Sequence, residues 1–132
     1  SSAGKGFFVN SNDFIASTKS GKKVMNLKDN DRAVSCAEKK GDLIVSISGE
    51  KKSFKLLAFN SSEIPNMQKG RGVTLQKFKS GKTLNAFCAD SNEGIINERS
   101  KKVLLSAKDL KKWLGKRAQA GRIEPKNLHS KI

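Results

Sequence analysis

The amino-acid sequence predicts an all-β fold built from propeller-like blades of about 50 residues, with one short helix near 107–116. The main observation is a unit that occurs three times: an apolar strand, a short turn with an acidic and an apolar residue, and a small basic glycine motif. Its marker glycines are Gly21, Gly70 and Gly121, which lie 49 and 51 residues apart. A period near 50 is typical of a four-stranded propeller blade, because a lone strand cannot bury its apolar face.

A second internal similarity supports the same period. Residues 33–37 can be placed over 85–89, so that Cys36 and Cys88 coincide at a spacing of 52. Neither cysteine belongs to a C-x-x-C pair, so a zinc site at normal ligand spacing is excluded. We therefore expect both cysteines to be buried strand residues.

Turn residues divide one period into short strands. The predicted strands lie at about 33–38, 42–48, 53–59 and 72–78. Within the second strand, apolar and polar residues alternate, which predicts that Val45 and Ile47 point inward and that Ser46 and Ser48 point outward. The repeats predict a partial blade at 1–30, a blade at about 31–81 and a blade at about 82–128, all within one C-terminal part of a longer domain.

The helix near 107–116 is predicted from its first turn. Ser106 is a typical N-cap residue, with Asp109 three positions later. Leu110 and Trp113 follow at helical spacing. We interpret Trp113 as a packing residue rather than a platform on which a base stacks.

The charge of the chain is strongly one-sided. Lysine and arginine total 27 against 12 acidic residues, which gives a net charge of +15. Such a field attracts polyanions. A membrane partner is not favoured, because no apolar run approaches the ~18 residues of a spanning helix and the N-terminus does not resemble a signal peptide. We therefore expect a cytoplasmic protein that binds nucleic acid, and the excess of lysine over arginine favours phosphate contacts over base reading.

Catalytic motifs are weak in this sequence. Residues 80–83 read S-G-K-T, but Gln76 stands where a phosphate-binding loop needs its first glycine. The single histidine, His129, is interpreted as a tail residue without a positioned acid or base. The acidic residues form no cluster that suggests a magnesium site, and the chain contains no tyrosine. We expect no catalytic group, no metal and no cofactor within this chain.

The basic glycine motifs are the candidate binding residues. Glycine lets the backbone approach a phosphate closely, and a neighbouring lysine or arginine supplies the charge. In a repeat architecture equivalent turns lie along one rim, where bent duplex DNA would be held by its phosphates. The candidate DNA-binding residues are Lys19, Lys22, Lys23, Lys69, Arg71, Lys116, Arg117 and Arg122.

Several motifs resemble a known family. Residues 63–76 read E-I-P-x-M-x-K-G-R-G-V-x-L-Q and are similar to the blade signature of type IIA topoisomerase A subunits. Residues 109–122 read D-L-x-x-W-x-G-x-R-A-Q-A-G-R and resemble the end of the A subunit in topoisomerase IV. The segments 4–9 and 22–27 fit the same family. No segment matches the Q-R-R-G-G-K-G box of gyrase A subunits, which favours topoisomerase IV and weak bending over full wrapping.

The resemblance implies a β-pinwheel, in which neighbouring blades exchange strands. It also implies a non-catalytic module that binds and bends double-stranded DNA and presents the transported duplex for ATP-dependent change of DNA topology. ATP and magnesium are then expected only for the parent enzyme. The cutting tyrosine of that enzyme would lie elsewhere in its A subunit, while its B subunit would be the ATPase. The chain holds about two and a half blades, fewer than the family's five or six.

Two other functions stay open at this point. A basic β-repeat module that binds RNA would prefer single strands or A-form helices, although few aromatic platforms are evident. A protein-interaction module would use the same charge to bind an acidic partner.

Overall fold

The computed structural model describes residues 1–14 and 23–132. Short strands dominate, and the helices are single turns. The strands are β1 (Lys5–Gly6), β2 (Leu43–Glu50), β3 (Ser53–Asn60), β4 (Val73–Thr74), β5 (Lys82–Ala89), β6 (Ile95–Ile96), β7 (Val103–Leu105) and β8 (Arg122–Ile123). The α-helical turns are α1 (Ser11–Phe14) and α2 (Ala107–Leu110), and 3-10 turns lie at Ser61–Glu63, Lys111–Trp113 and Leu128–Ser130. Among these described residues no helix has the length and apolar character needed to cross a membrane.

The central element is a four-stranded antiparallel sheet in the order β5-β2-β3-β8. β2 and β3 form a regular hairpin whose register runs from Leu43 opposite Asn60 to Glu50 opposite Ser53. Two smaller sheets join β1 to β4 and β6 to β7. The large sheet takes β2 and β3 from the 31–81 interval and β5 and β8 from the 82–128 interval. Strands are therefore shared between sequence repeats, as in a β-pinwheel.

Both faces of this sheet are covered. One face carries a core that includes Val45, Ile47 and Leu56, and the other carries a core that includes Ile44 and Phe59. The prediction that Ser46 and Ser48 point to solvent is therefore wrong, because these side chains are only 0% and 2% exposed. Alternation along a strand gives the two faces but does not reveal that a second layer covers the polar one. Ser48 is satisfied within the sheet by a hydrogen bond of 2.8 Å between its hydroxyl and that of Thr83.

The predicted strand at 33–38 is also absent, since these residues form no ladder. Cys36 is exposed and Cys88 is partly buried in β5, so the expectation that both are buried is wrong for Cys36. The segment instead lies beside β5, where the Ser35 hydroxyl donates to the Ala86 carbonyl at 2.8 Å. Sequence similarity between 33–37 and 85–89 therefore does not correspond to equivalent strands. The predicted strand at 72–78 shortens to β4.

The predicted helix begins as expected and ends early. The Ser106 hydroxyl accepts a hydrogen bond from the Asp109 amide at 3.1 Å, which caps α2. After the 3-10 turn, Leu114 is extended, and the Gly115 amide donates to the Ala58 carbonyl of β3 at 2.8 Å. Pairing with β3 thus replaces the helix from residue 114 onward. Trp113 packs against the core, which confirms its structural role.

His129 is not a free tail residue. Its ring nitrogen Nδ1 contacts the Glu124 carboxylate, and its backbone amide donates to the same carboxylate at 2.9 Å. The ring also lies 4.4 Å from that of Phe54, measured between centroids. Leu128 beside it is buried. The interpretation of His129 as a mobile tail histidine is therefore wrong, because long-range packing supplies partners that its sequence neighbours do not show.

Candidate nucleic-acid interface

Two junctions between sequence repeats share the same strand register. In the first junction, Lys5 of β1 lies opposite Thr74 of β4. In the second, Lys55 of β3 lies opposite Ile123 of β8. The two pairs are related by shifts of 50 and 49 residues, so a strand near the end of each repeat pairs with a strand of the repeat before it. The basic turns lie beside these two junctions.

At the first junction, the turn around Gly70 pairs with the segment that follows Lys23. The Gly70 amide donates to the Val24 carbonyl at 3.0 Å, and the Asn26 amide donates to the Gly70 carbonyl at 2.7 Å. These two hydrogen bonds bring Lys23 close to the turn that contains Lys69 and Arg71. Three of the predicted binding residues therefore share one junction.

The second junction repeats this hydrogen-bond pattern. The Ala118 amide donates to the Leu75 carbonyl at 2.8 Å, and the Lys77 amide donates to the Gln119 carbonyl at 3.0 Å. In both junctions a backbone amide of the turn donates to the carbonyl of a residue in the partner segment. The amide of the residue two positions further along that segment then donates to a carbonyl of the turn. Lys116 and Arg117 immediately precede this second contact. The basic turns of successive repeats are thus held in the same way.

The two junctions are close together along the chain. Gly70 belongs to the first and Leu75 to the second, and the five residue steps from one to the other span at most about 17 Å. We use the term edge row for the cations at these junctions. The edge row consists of Lys23, Lys69, Arg71, Lys116, Arg117 and Arg122.

The marker glycines of the sequence are not all equivalent in space. A Cβ added to Gly72 would lie 2.3 Å from the Gly6 carbonyl oxygen, and one added to Gly121 would lie 2.5 Å from that of Leu56. Their φ angles are +80° and +81°. Gly121 therefore corresponds to Gly72, and the predicted correspondence to Gly70 is wrong by two residues. Because of this shift, the cations of the second junction do not occupy positions equivalent to those of the first, although both junctions are rich in positive charge.

The side chains of the edge row differ in how freely they can reach a ligand. Lys23, Lys69, Lys116 and Arg122 are exposed, whereas Arg71 and Arg117 are half-buried. The Arg117 guanidinium donates from Nη1 to the Thr74 carbonyl at 2.9 Å, and its backbone amide donates to a Glu63 carboxylate oxygen at 3.3 Å. Arg117 therefore helps to hold the second junction together. Its remaining guanidinium donors stay available for a phosphate.

Two predicted residues, Lys19 and Lys22, lie outside the described residues. Sequence reasoning also missed two members of the second junction. Lys77 is exposed beside the turn, and Gln76 is buried, with its side-chain amide donating to the Lys55 and Ala120 carbonyls at 3.0 and 2.9 Å. The hydrogen-bond pattern makes Asn26 the equivalent of Lys77, and because Asn26 is not basic the repeat gave no indication of Lys77. No sequence signal identifies Gln76 as a buried connector, because its role depends on the packing of three segments.

Little of the positive charge is neutralised within the described part of the chain. There, the only lysine or arginine side chains within 4.0 Å of a carboxylate are Lys40 beside Glu38 and Lys112 beside Asp109. Both pairs are exposed and contribute little to stability. Residues 1–14 and 23–132 contain no group of three histidine, cysteine or acidic side chains suited to a metal ion. The arrangement is thus suited to contact with an extended polyanion.

The comparisons with known proteins agree with this fold. Residues 1–37 and 58–87 match the family described as DNA gyrase C-terminal domain, beta-propeller. The A subunit of DNA topoisomerase 4 from Rickettsia felis is 46% identical over 129 residues, which cover 98% of this chain and 17% of that protein. The corresponding protein of Caulobacter vibrioides is 31% identical over 128 residues, covering 97% of this chain and 16% of that protein. The chain thus spans about a sixth of the length of these curated relatives.

A solved structure shows the same architecture. The E. coli ParC C-terminal domain has a TM-score of 0.74 and 22% sequence identity to this chain, and the match covers 96% of this chain and 54% of that one. The likeness establishes the fold. The family match covers more than half of the residues. The chain belongs to the family of DNA gyrase C-terminal domains, which have the β-propeller fold.

Proposed function

We propose that this chain is the DNA-binding and DNA-bending module in the A subunit of a topoisomerase IV. In this role it presents the transported duplex to the enzyme core for ATP-dependent change of DNA topology. The observation that supports the proposal is the similar hydrogen-bond pattern of the two junctions, beside which the residues of the edge row lie. The names of the curated relatives supply the enzyme to which such a module would belong.

The edge row fits a phosphate backbone better than base edges. Four of its six side chains are exposed, and three of these four are lysines, which act as point charges without the planar fork that reads guanine. Binding of this kind holds a duplex in place with little dependence on sequence.

Bending follows from the repetition of the junctions. A duplex that contacts the first junction and then the second must follow the path along which the repeats are arranged. The cost of this deformation depends on the DNA sequence, and additional phosphate contacts offset it. We infer that flexible duplexes are preferred over stiff ones at equal charge. We further propose that 1–30, 31–81 and 82–128 are the units of this arrangement.

The remaining parts of the reaction are assigned to the rest of the enzyme. We propose that the cutting tyrosine lies elsewhere in the same polypeptide, that the B subunit is the ATPase, and that ATP and magnesium serve those parts. The chain itself would hold no cofactor. A cytoplasmic location, in contact with the chromosome, follows from this proposed role.

The test is a salt series of duplex binding, measured by fluorescence anisotropy. The double variant Lys69→Ala/Arg71→Ala removes two edge-row charges, and Lys40→Ala/Lys108→Ala removes two charges from exposed positions outside the edge row. Each lost phosphate contact lowers the slope of log affinity against log salt by about 0.9, so we expect a loss of about 1.8 for the edge-row variant. The control should keep the wild-type slope. Equal slopes for both variants would exclude this turn as a DNA contact.

A further inference from the structure

A cleft lies along the edge of β3 that faces β8. Two segments of the chain cover this edge. In one of them the Gly115 amide donates to the Ala58 carbonyl at 2.8 Å. In the other, a Cβ added to Gly121 would lie 2.5 Å from the Leu56 carbonyl oxygen. Leu57 lies between these two contacts and lines the gap between the segments, a cleft of about 290 Å³ that we call the anchor cleft.

The lining of the anchor cleft is mostly apolar. Besides Leu57, it includes Trp113, Leu114 and the small residues of the loop that ends at Gly121. Leu57 is only 1% exposed, whereas Leu114 is 45% exposed although it lines a cleft. The Trp113 ring is held in place, because its Nε1 donates to the Ile123 carbonyl at 2.9 Å. An exposed leucine beside a fixed aromatic ring is suited to receive an apolar side chain of a partner.

The charged residues that line the cleft are both cations. They are Lys112 and Arg122, and among the described residues no aspartate or glutamate lines it. In that part of the chain Arg122 has no carboxylate within 4.0 Å, and Lys112 lies 3.8 Å from the Asp109 carboxylate in an exposed pair. Exposed pairs of this kind are weak, so both cations can be used by a ligand. A partner with negative charge is therefore complementary to this cleft.

The size and the apolar lining of the cleft distinguish between anionic ligands. Its volume lies just below the range of about 300–1,000 Å³ that encloses a whole small molecule, so a single large side chain is the group that it fits. The sugar-phosphate backbone of DNA could neutralise the two cations, but it carries no apolar side chain that would fill the cleft and cover Leu114. An acidic polypeptide segment can supply both the negative charge and the apolar group.

We propose that the anchor cleft is a docking site for an acidic segment of a protein partner. One large apolar side chain of the partner inserts beside Trp113, and its carboxylates pair with Lys112 and Arg122. In such an interface the buried anchor supplies most of the affinity, while the charges at the rim set the orientation and the rate of association. The cleft would bind this segment whether or not the edge row binds DNA.

Trp113 is the only tryptophan of the chain, so its fluorescence reports directly on the anchor cleft. The unmodified chain is titrated with three synthetic peptides. The first, E-D-E-F-D-E-D, is acidic and has an apolar anchor; the second, E-D-E-S-D-E-D, lacks the anchor; the third, K-K-K-F-K-K-K, has the opposite charge. We expect a saturable shift of the emission to shorter wavelength with the first peptide and no saturable shift with the third. The second should bind about tenfold more weakly than the first, because the buried phenyl group is lost.

Leu114→Ser and Val103→Ser form a matched pair of variants. Val103 is an apolar residue of β7 outside the cleft, and it is 58% exposed against 45% for Leu114. Because the exposed part of Leu114 would be covered by the anchor, Leu114→Ser should weaken the first peptide about fivefold. Val103→Ser should leave its affinity unchanged. Arg122→Gln, at an exposed position, should weaken both acidic peptides about threefold.

Equal affinities for the two acidic peptides, or equal effects of the two serine variants, would mean that only charge is recognised and would overturn the docking site. A first peptide without a saturable shift would overturn it as well. Duplex DNA is titrated in the same way: if Leu114→Ser weakens the duplex and not the peptide, the cleft belongs to the DNA interface and the proposal is wrong. Because the peptide comparison uses the unmodified chain, it remains decisive even if a variant fails to fold.

Discussion

Gly121 is the position at which a single methyl group tests the junction geometry most directly. Its φ is +81°, and a Cβ there would lie 2.5 Å from the Leu56 carbonyl oxygen and 2.9 Å from the Leu56 carbonyl carbon. Leu56 is 0% exposed and belongs to β3, so its backbone cannot move without disturbing the pairing with β8. Gly121→Ala therefore combines an unfavourable backbone conformation with a clash against a fixed strand.

The expected cost is about 2–4 kcal/mol of unfolding free energy. The left-handed φ alone accounts for about 1–2 kcal/mol with alanine, and the clash with the strand adds a similar amount. Gly72→Ala should fall in the same range, because its φ is +80° and its Cβ would meet the Gly6 carbonyl oxygen at 2.3 Å. Urea unfolding followed by circular dichroism measures both values.

Gly115→Ala is the matched control. Gly115 has no positive φ, and its Cβ would meet Oε1 of Gln119 at 2.4 Å, which is the end of a flexible side chain. That side chain can rotate away and lose its hydrogen bond from the Lys116 amide, at a cost of about 1 kcal/mol. If Gly121→Ala lies within about 0.5 kcal/mol of the control, the reasoning about the junction is refuted.

Two further predictions concern stability and acid sensitivity. The indole Nε1 of Trp113 donates to the Ile123 carbonyl at 2.9 Å. Trp113→Phe should therefore lower the unfolding free energy by about 1 kcal/mol and leave duplex affinity unchanged. A large loss of affinity would instead indicate that the indole contacts DNA. The pKa of Asp42 is lowered from its ordinary 3.8 because the Ser91 hydroxyl and amide donate to its carboxylate. The stability that this provides is present above pH 3.8 and is lost as the pH falls through the lower folded pKa. The urea midpoints of wild type and Asp42→Asn should therefore differ at pH 7 and converge as the pH is lowered below 3.8. A gap of constant size across that range would contradict the assignment.

The sequence predicted the period of the repeat and the grouping of basic residues at its turns, because both are local properties. The period near 50 follows from apolar strands and turn residues, and the grouping of Lys69 with Arg71 needs no tertiary information. The predicted equivalence of Gly70 and Gly121 failed because Gly70 and Gly72 both fit the motif. Only the close approach of Gly72 to the Gly6 carbonyl identifies Gly72 as the equivalent of Gly121.

Burial was the property that the sequence could not supply. Alternation in β2 correctly separates Val45 from Ser46, but both faces are covered because layers from other repeats pack on each side. Cys36 matches Cys88 in its neighbours and yet lies in an exposed segment without a ladder. Strand pairing depends on the whole fold, so local similarity did not determine which segment became a strand.

The most direct test of the central claim compares ligands for the unmodified chain. Linear, relaxed and supercoiled duplexes are titrated beside single-stranded DNA and RNA in gel shifts over a salt series. We expect the duplexes to bind more tightly than single strands, with log affinity falling linearly as log salt rises. Tighter binding to single strands, or duplex binding that does not respond to salt, would contradict the proposal that this module holds double-stranded DNA by its phosphates.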